Sequence, residues 1–125
     1  MSGSRYVLDT NAIVVLLQTN TQLLELLQKA DWIGVSIISQ IEFLVFPGLT
    51  ESDRQLFQEF LQRVEVLDLT SKNAALINKI VEIRQQYRLK FPDAVIAAMA
   101  IDNLASLVTA DQDFAKVKDL TVVPC

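Results

Sequence analysis

A three-layer α/β/α sandwich around a mostly parallel sheet is the fold class that this sequence predicts. Three observations predict it: short, continuous apolar runs that read as buried strands, segments of helical period between them, and turn residues that separate the two. At 125 residues the chain is read as a single domain, residues 1–125. A chain of this size buries roughly two-thirds of its unfolded surface, so a core forms without staples. Apolar residues make up 51% and mean hydropathy is +0.32, which argues against disorder.

The elements follow in order. Arg5 to Leu8 reads as a buried strand that ends at Asp9. Thr10 to Gln18 and Thr21 to Ala30 read as helices, the second with Leu23, Leu24, Leu26 and Leu27 on its apolar face. Ile33 to Ser36 is a short strand, and Ile37 to Phe46 is a helix stopped by Pro47-Gly48. Glu51 to Gln62 is an amphipathic helix introduced by Thr50 and Ser52, and Val64 to Leu69 alternates like a strand. Thr70 to Tyr87 reads as a long helix that buries Ala74, Ile77, Ile80, Val81 and Ile83. An Ala-rich helix runs from Ala94 to Ile101, opened by Asp93. Ser106 to Thr109 and Leu120 to Val123 complete the strands, with a short helix from Ala115 to Lys118 between them. Strands alternating with helices imply a sheet covered on both faces.

Residue usage narrows the chemistry. No apolar run approaches the roughly 20 residues of a membrane span. Met1 to Arg5 is too short and polar for a secretion signal, and Ser2 to Ser4 carry no structural weight. Cys125 is the single cysteine, so no internal disulfide forms, which fits a reducing cytoplasm. Histidine is absent, which excludes Ser-His-Asp and Cys-His triads and His-based zinc sites. Any metal is held by oxygen, favouring magnesium, manganese or calcium. The net charge of −4 and pI of about 4.7 argue against a nucleic-acid partner. Arg84, Arg88 and Lys90, directly before Asp93, weaken that objection.

Four acidic motifs carry the functional signal: L-D-T-N at Leu8 to Asn11, S-Q-I-E-F at Ser39 to Phe43, F-P-D-A-V-I-A-A at Phe91 to Ala98, and V-T-A-D-Q-D-F at Val108 to Phe114. Ligands in open α/β sheets bind outside the carboxyl ends of the strands. Asp9, Asp111 and Asp113 follow strands there, and Glu42 and Asp93 sit on helices that can reach the same edge. Plainer readings stand beside this one. Asp9, Asp93, Asp111 and Asp113 also suit helix caps, as do Thr10, Asn11, Ser39 and Thr109, which otherwise orient the acids or their waters. Glu42, among Ile41, Phe43, Leu44 and Phe46, needs a partner or a solvated helix side. Two carboxylates about 4 Å apart repel by roughly 4 kcal/mol at an effective dielectric of 20. A gathered set therefore calls for protons, for basic neighbours (Arg5, Lys90, Lys116 and Lys118 are the near ones in sequence), or for a divalent cation.

Taken in order, V-L-D-T-N-A-I at Val7 to Ile13, S-I-I-S-Q-I-E-F at Ser36 to Phe43, F-P-D-A-V-I-A-A-M-A at Phe91 to Ala100 and L-V-T-A-D-Q-D-F at Leu107 to Phe114 resemble the PIN domain, and most closely the VapC-type toxins of prokaryotic toxin–antitoxin pairs. The resemblance implies a PIN-like parallel-sheet fold and a magnesium- or manganese-dependent endoribonuclease. It assigns Asp9, Glu42, Asp93 and Asp111 as catalytic metal-site acids, with Asp113 as an additional acid. It also implies a homodimer and a small antitoxin whose tail occludes the site, with Phe43 to Leu49 either part of an interface or core. On this reading Arg84, Arg88 and Lys90 contact the RNA backbone, unless they form a solvated helix face. Tyr87 or Phe91 stacks on a base, core packing being the expectation for Phe91.

The alternative is a non-catalytic module of the same fold that binds RNA or a protein, although all four acid positions are filled. A haloacid-dehalogenase-like phosphatase needs a second Asp where Asn11 stands. A phosphoacceptor receiver needs an acid pair beside the first strand, and Asp9 is alone there.

Overall fold

The structure, a computed structural model, describes residues 4–18 and 20–125; the Ser2-Gly3 end lies outside them. Strands β1 (Arg5–Leu8), β2 (Trp32–Ser36), β3 (Glu65–Leu67), β4 (Ser106–Thr109) and β5 (Val122–Pro124) form one sheet. Their order is β3-β2-β1-β4-β5, and every pairing is parallel. The helices are α1 (Thr10–Leu17), α2 (Thr21–Gln28), α3 (Ile37–Leu44), α4 (Glu51–Leu61), α5 (Ala74–Tyr87) and α6 (Phe91–Asp102), with a 3₁₀ turn at Gln112–Lys116.

Strand periodicity explains the layers. Neighbouring residues on a strand point to opposite faces. Val7 and Leu107 therefore join a core with α5 and α6, while Leu8, Val35 and Val108 join one with α1 to α4. Phe43 of α3 stacks on the fully buried Phe57 of α4 with ring centroids 4.1 Å apart. In α6 every residue from Ala94 to Ala100 is buried. A helix apolar all round is a core helix, and this one anchors its first turn over the sheet.

The chain builds β2 and β3 to one side of β1, then returns to place β4 on the other. That reversal opens a crevice at the carboxyl ends of β1 and β4. Leu8 pairs with Val108, and the Asp9 amide continues the ladder to the Val108 carbonyl at 3.0 Å.

Several boundaries differ from the sequence reading, each for a local reason. Helix α5 starts at Ala74 rather than Thr70, because Asn73 caps it by accepting from the Leu76 amide at 3.1 Å, while the Thr70 hydroxyl accepts from the Lys72 amide and holds a turn. Strand β3 keeps only Glu65–Leu67, the residues that pair with Gly34–Ser36. Helix α6 begins at Phe91, since Pro92 needs no hydrogen-bonded amide in a first turn. The short helix falls at Gln112–Lys116, fixed by Asp111, whose side chain accepts from the Asp113 amide. Strand β5 lies at Val122–Pro124 because the Leu120 amide is used in a turn to the Val117 carbonyl. The apolar faces are also narrower: Leu24, Val81 and Phe91 are 42%, 48% and 50% exposed. Phe91, expected in the core, is at the surface.

Candidate active site

Asp9 stands at the end of β1 and is the N-cap of α1, so the capping and functional readings coincide in one side chain. It is 5% exposed. One carboxylate oxygen accepts from the Thr10 amide at 2.8 Å. The other accepts from the Thr109 hydroxyl at 2.7 Å and from Asn11 Nδ2 at 3.2 Å. Thr109, at the end of β4, also accepts from the Asp111 amide at 3.0 Å, and Asn11 Oδ1 accepts from the Ala110 amide at 3.0 Å. These bonds tie the first motif to the last across the switch point. The Thr10 hydroxyl donates to Glu42 Oε1 at 2.7 Å, which brings in the second motif from α3.

Asp93 lies in the first turn of α6. The N-cap of that helix is Lys90, with no side-chain cap bond, so Asp93 is not the cap that the Pro92-Asp93 pair suggested. Burial pushes its carboxyl up to about 6, and the charges of Asp9, Asp111 and Glu42 push the same way, against Lys90. Asp9 is also raised, chiefly by burial, with Glu42 and Asp111 adding to it against the hydrogen bonds from Thr109 and Thr10. Asp9, Glu42, Asp93 and Asp111 therefore share one electrostatic neighbourhood. Asp113 is exposed and is absent from the charges acting on Asp9 and Asp93. Its amide instead donates to Asp111 Oδ1 at 2.9 Å.

The cations expected nearby divide. Lys90 faces Asp93. Arg5 does not: it opens β1, a strand's length from Asp9, and its guanidinium donates to the Asn103 carbonyl at 2.9 Å. Arg84 donates to the Leu89 carbonyl and closes the end of α5. Among the described residues the ion pair found is Lys79–Glu82, so none of the four acids is held in an ion pair.

Do these residues suit a hard cation? Among the described residues no three acidic side chains already stand at ligating distance round one point. Magnesium, however, commonly takes only one or two carboxylates and keeps several waters. The donors present are carboxylate oxygens from four elements, and two of the acids, Asp9 and Asp93, are raised in pKa by burial and by acidic neighbours. Ser39, one turn before Glu42, is fully buried and its hydroxyl has no hydrogen-bond partner among the described residues. The donor set fits a hard divalent ion. The apolar groove lined by Val14, Leu17, Phe43, Phe46 and Leu49 has only Asp53 as a carboxylate, so it is no rival for this chemistry.

One long-range contact has no signal in sequence spacing. Tyr87 Oη accepts from the Lys118 amide at 3.2 Å, joining segments 31 residues apart. No local pattern announces that contact.

Comparison with known proteins follows the same lines. No curated protein sequence matches the chain. Among solved structures it resembles VapBC2 from Rickettsia felis, described as bound to a DNA fragment from their promoter, with 25% identity, a TM-score of 0.81, and 97% of this chain and 98% of that one covered. A toxin–antitoxin complex from Klebsiella pneumoniae is similar at 25% identity and a TM-score of 0.76, over 94% of this chain and 95% of that one. DNA-bound VapBC from Salmonella typhimurium shares the fold at 18% identity and a TM-score of 0.74, over 97% and 98%. The family model described as PIN domain matches residues 6–120, nearly the whole chain. The chain belongs to the PIN domain family.

Proposed function

We propose that this chain is a divalent-metal-dependent endoribonuclease and the toxin of a toxin–antitoxin pair. One observation carries the reading: four carboxylates come together from β1–α1, α3, α6 and the end of β4, close enough for Glu42 and Asp111 to raise both Asp9 and Asp93, and among the described residues no basic side chain is ion-paired to them. Asp9, Glu42, Asp93 and Asp111 would hold magnesium or manganese, with Asp113 as an additional acid whose amide donates to Asp111. Such an ion, when bound, activates water and stabilises charge on phosphate oxygens.

The chain's own residues do the rest. Thr109 and Asn11 fix the Asp9 carboxylate through its Oδ2. Thr10 fixes Glu42. Asp93, with its pKa near 6, exists in both protonation states near neutrality and passes a proton when it binds or releases a ligand. Lys90 offers a charge to a phosphate arriving beside Asp93.

The assembly is part of the proposal. The toxin–antitoxin description belongs to the similar structures, and it supports a small antitoxin partner here. Val45 and Phe46 are 73% and 51% exposed beside the groove of Val14, Leu17, Phe43 and Leu49. That apolar surface suits an antitoxin segment or the second copy of a homodimer. No described helix is long and apolar enough to cross a membrane, and the cytoplasm is the compartment that goes with an RNA substrate.

The test is a thermal-shift titration with manganese and magnesium on the wild type and Asp93→Asn. Stabilisation of the wild type, much reduced in the variant, is expected. Metal-dependent RNA cleavage should fall about a thousandfold or more in Asp93→Asn, the scale of several kcal/mol of lost charge stabilisation. No stabilisation by either metal, with or without RNA oligomers, would leave the non-catalytic module as the better reading.

A further inference from the structure

We infer that Ser39 is a positioning residue for Glu42: its buried hydroxyl donates to the Glu42 carboxylate once a divalent ion draws that carboxylate into the cluster. This role deepens the metal reading proposed above and rests on it for the ion.

Two of the carboxylates are held unequally. Asp9 accepts on both oxygens, from the Thr10 amide on one and from Thr109 and Asn11 on the other. For Glu42 the hydrogen bond described is the one from the Thr10 hydroxyl to Oε1. Among the described residues no three acidic side chains yet stand at ligating distance round one point. Side chains must therefore shift to collect an ion, and Glu42 is the longest of the four acids. Its helix is pinned at both ends. The Ser36 side chain caps the start of α3, and Phe43 stacks on Phe57 beyond Glu42. The adjustment is confined to the Glu42 side chain.

Ser39 supplies what Glu42 then needs. The two stand one turn apart on α3, and helix positions three apart share a face with Cβ atoms about 5–6 Å from each other. A long helical side chain leans back over the preceding turn, so Glu42 covers the turn that holds Ser39. Ser39 is fully buried, and its hydroxyl has no partner among the described residues. Its two ordinary duties are closed. The N-cap of α3 is Ser36, whose side chain accepts from the Ile38 amide at 3.0 Å, so Ser39 is not the cap that its place near the helix start allowed. Nor does Ser39 use the carbonyl four residues back, the common outlet of a helical serine. A buried hydroxyl without a partner costs stability. Alanine at this place would avoid that cost, and the carboxylate one turn on is the acceptor that gives the hydroxyl a use.

The experiment compares wild type, Ser39→Ala, Glu42→Ala and the double variant, by thermal denaturation without metal and by calorimetric titration to millimolar manganese. Without metal, Ser39→Ala should melt no lower than wild type, because the substitution removes an unpaired hydroxyl and little volume. It should nevertheless bind manganese roughly 10- to 100-fold more weakly. In the Glu42→Ala background the same substitution should change manganese affinity little, since a residue that acts through Glu42 has nothing left to act on. A lower melting temperature without metal, with manganese affinity unchanged, would make Ser39 a packing residue and overturn the role. Equal losses of affinity in both backgrounds would overturn it as well, because Ser39 would then act independently of Glu42. Either result, with manganese still bound by the wild type, leaves the metal reading intact. A wild type that binds neither manganese nor magnesium, with or without RNA oligomers, rejects the metal reading itself and the role of Ser39 with it.

Discussion

At the amino ends of the strands, charged and polar groups are matched. Arg5 donates to the Asn103 carbonyl and its guanidinium lies 4.3 Å from the centre of the Trp32 ring, while Asp31 accepts from the Ser4 amide at 2.9 Å. At the carboxyl ends, four acids gather without an ion-paired cation and a buried Ser39 hydroxyl lacks a partner among the described residues. The same five-stranded sheet supports both ends. The difference teaches that one end is arranged to hold the fold and the other to receive a ligand, with stability given up where chemistry is done. Substitutions at the first should therefore move stability alone, and substitutions at the second should move ligand binding first.

The largest stability effect is expected at Gly34, on the amino-end side. A Cβ there would meet the Trp32 ring at 2.3 Å, far inside contact distance. Gly34→Ala should displace the ring from Arg5 and cost about 1–3 kcal/mol by overpacking. Denaturant unfolding would register it. Manganese affinity, measured by calorimetry under native conditions, should hardly change; a parallel loss would break the division between the two ends.

Thr109→Val gives the opposite result. It removes the 2.7 Å hydrogen bond to Asp9 while keeping the shape of the side chain. Loss of such an orienting bond typically lowers metal affinity 10- to 100-fold. The variant should bind manganese that much more weakly. An unchanged affinity would mean that Asp9 needs no fixing, and the cluster would then owe its organisation to the backbone alone.

How far the molecule was legible follows the same division. The parallel sheet was readable because Val7-Leu8 and Leu107-Val108 are apolar on both sides of each strand. Asp9 and Asp111 were readable because a carboxylate just past a buried strand has one edge to face. The reach of Glu42 to Thr10 was not, since it depends on how α3 packs on α1. Arg5 is near Asp9 in sequence, yet a strand's length separates the two in the fold. Phe91 was misread because α6 begins earlier than expected, and Pro92 in its first turn leaves the Phe91 ring beside α5 rather than beneath α6. The Glu42 and Tyr87 contacts are long-range, and residue type carries no trace of them, whereas the Phe91 miss turns on a local helix boundary.

The smallest effect is the most diagnostic of the carboxyl end. Asp93 is raised from 3.8 to about 6, by burial first and then by Asp9, Asp111 and Glu42. A carboxyl raised on folding contributes stability that is fully present below 3.8 and is lost as pH climbs through 6. Asp93 is partly exposed, so solvent screening leaves about 1–2 kcal/mol of this shift. Other carboxylates titrate over the same range, which makes the difference between Asp93→Asn and wild type the informative quantity. Without metal, that difference in Tm should be near zero at about pH 4 and should grow to several degrees in favour of the variant by about pH 7. Saturating manganese should reverse its sign, because the wild type alone then gains the bound ion. A difference that stays flat across this range would show that Asp93 is not in contact with the other acids. The gathered cluster, and with it the contrast between the two ends of the sheet, would then have to be given up.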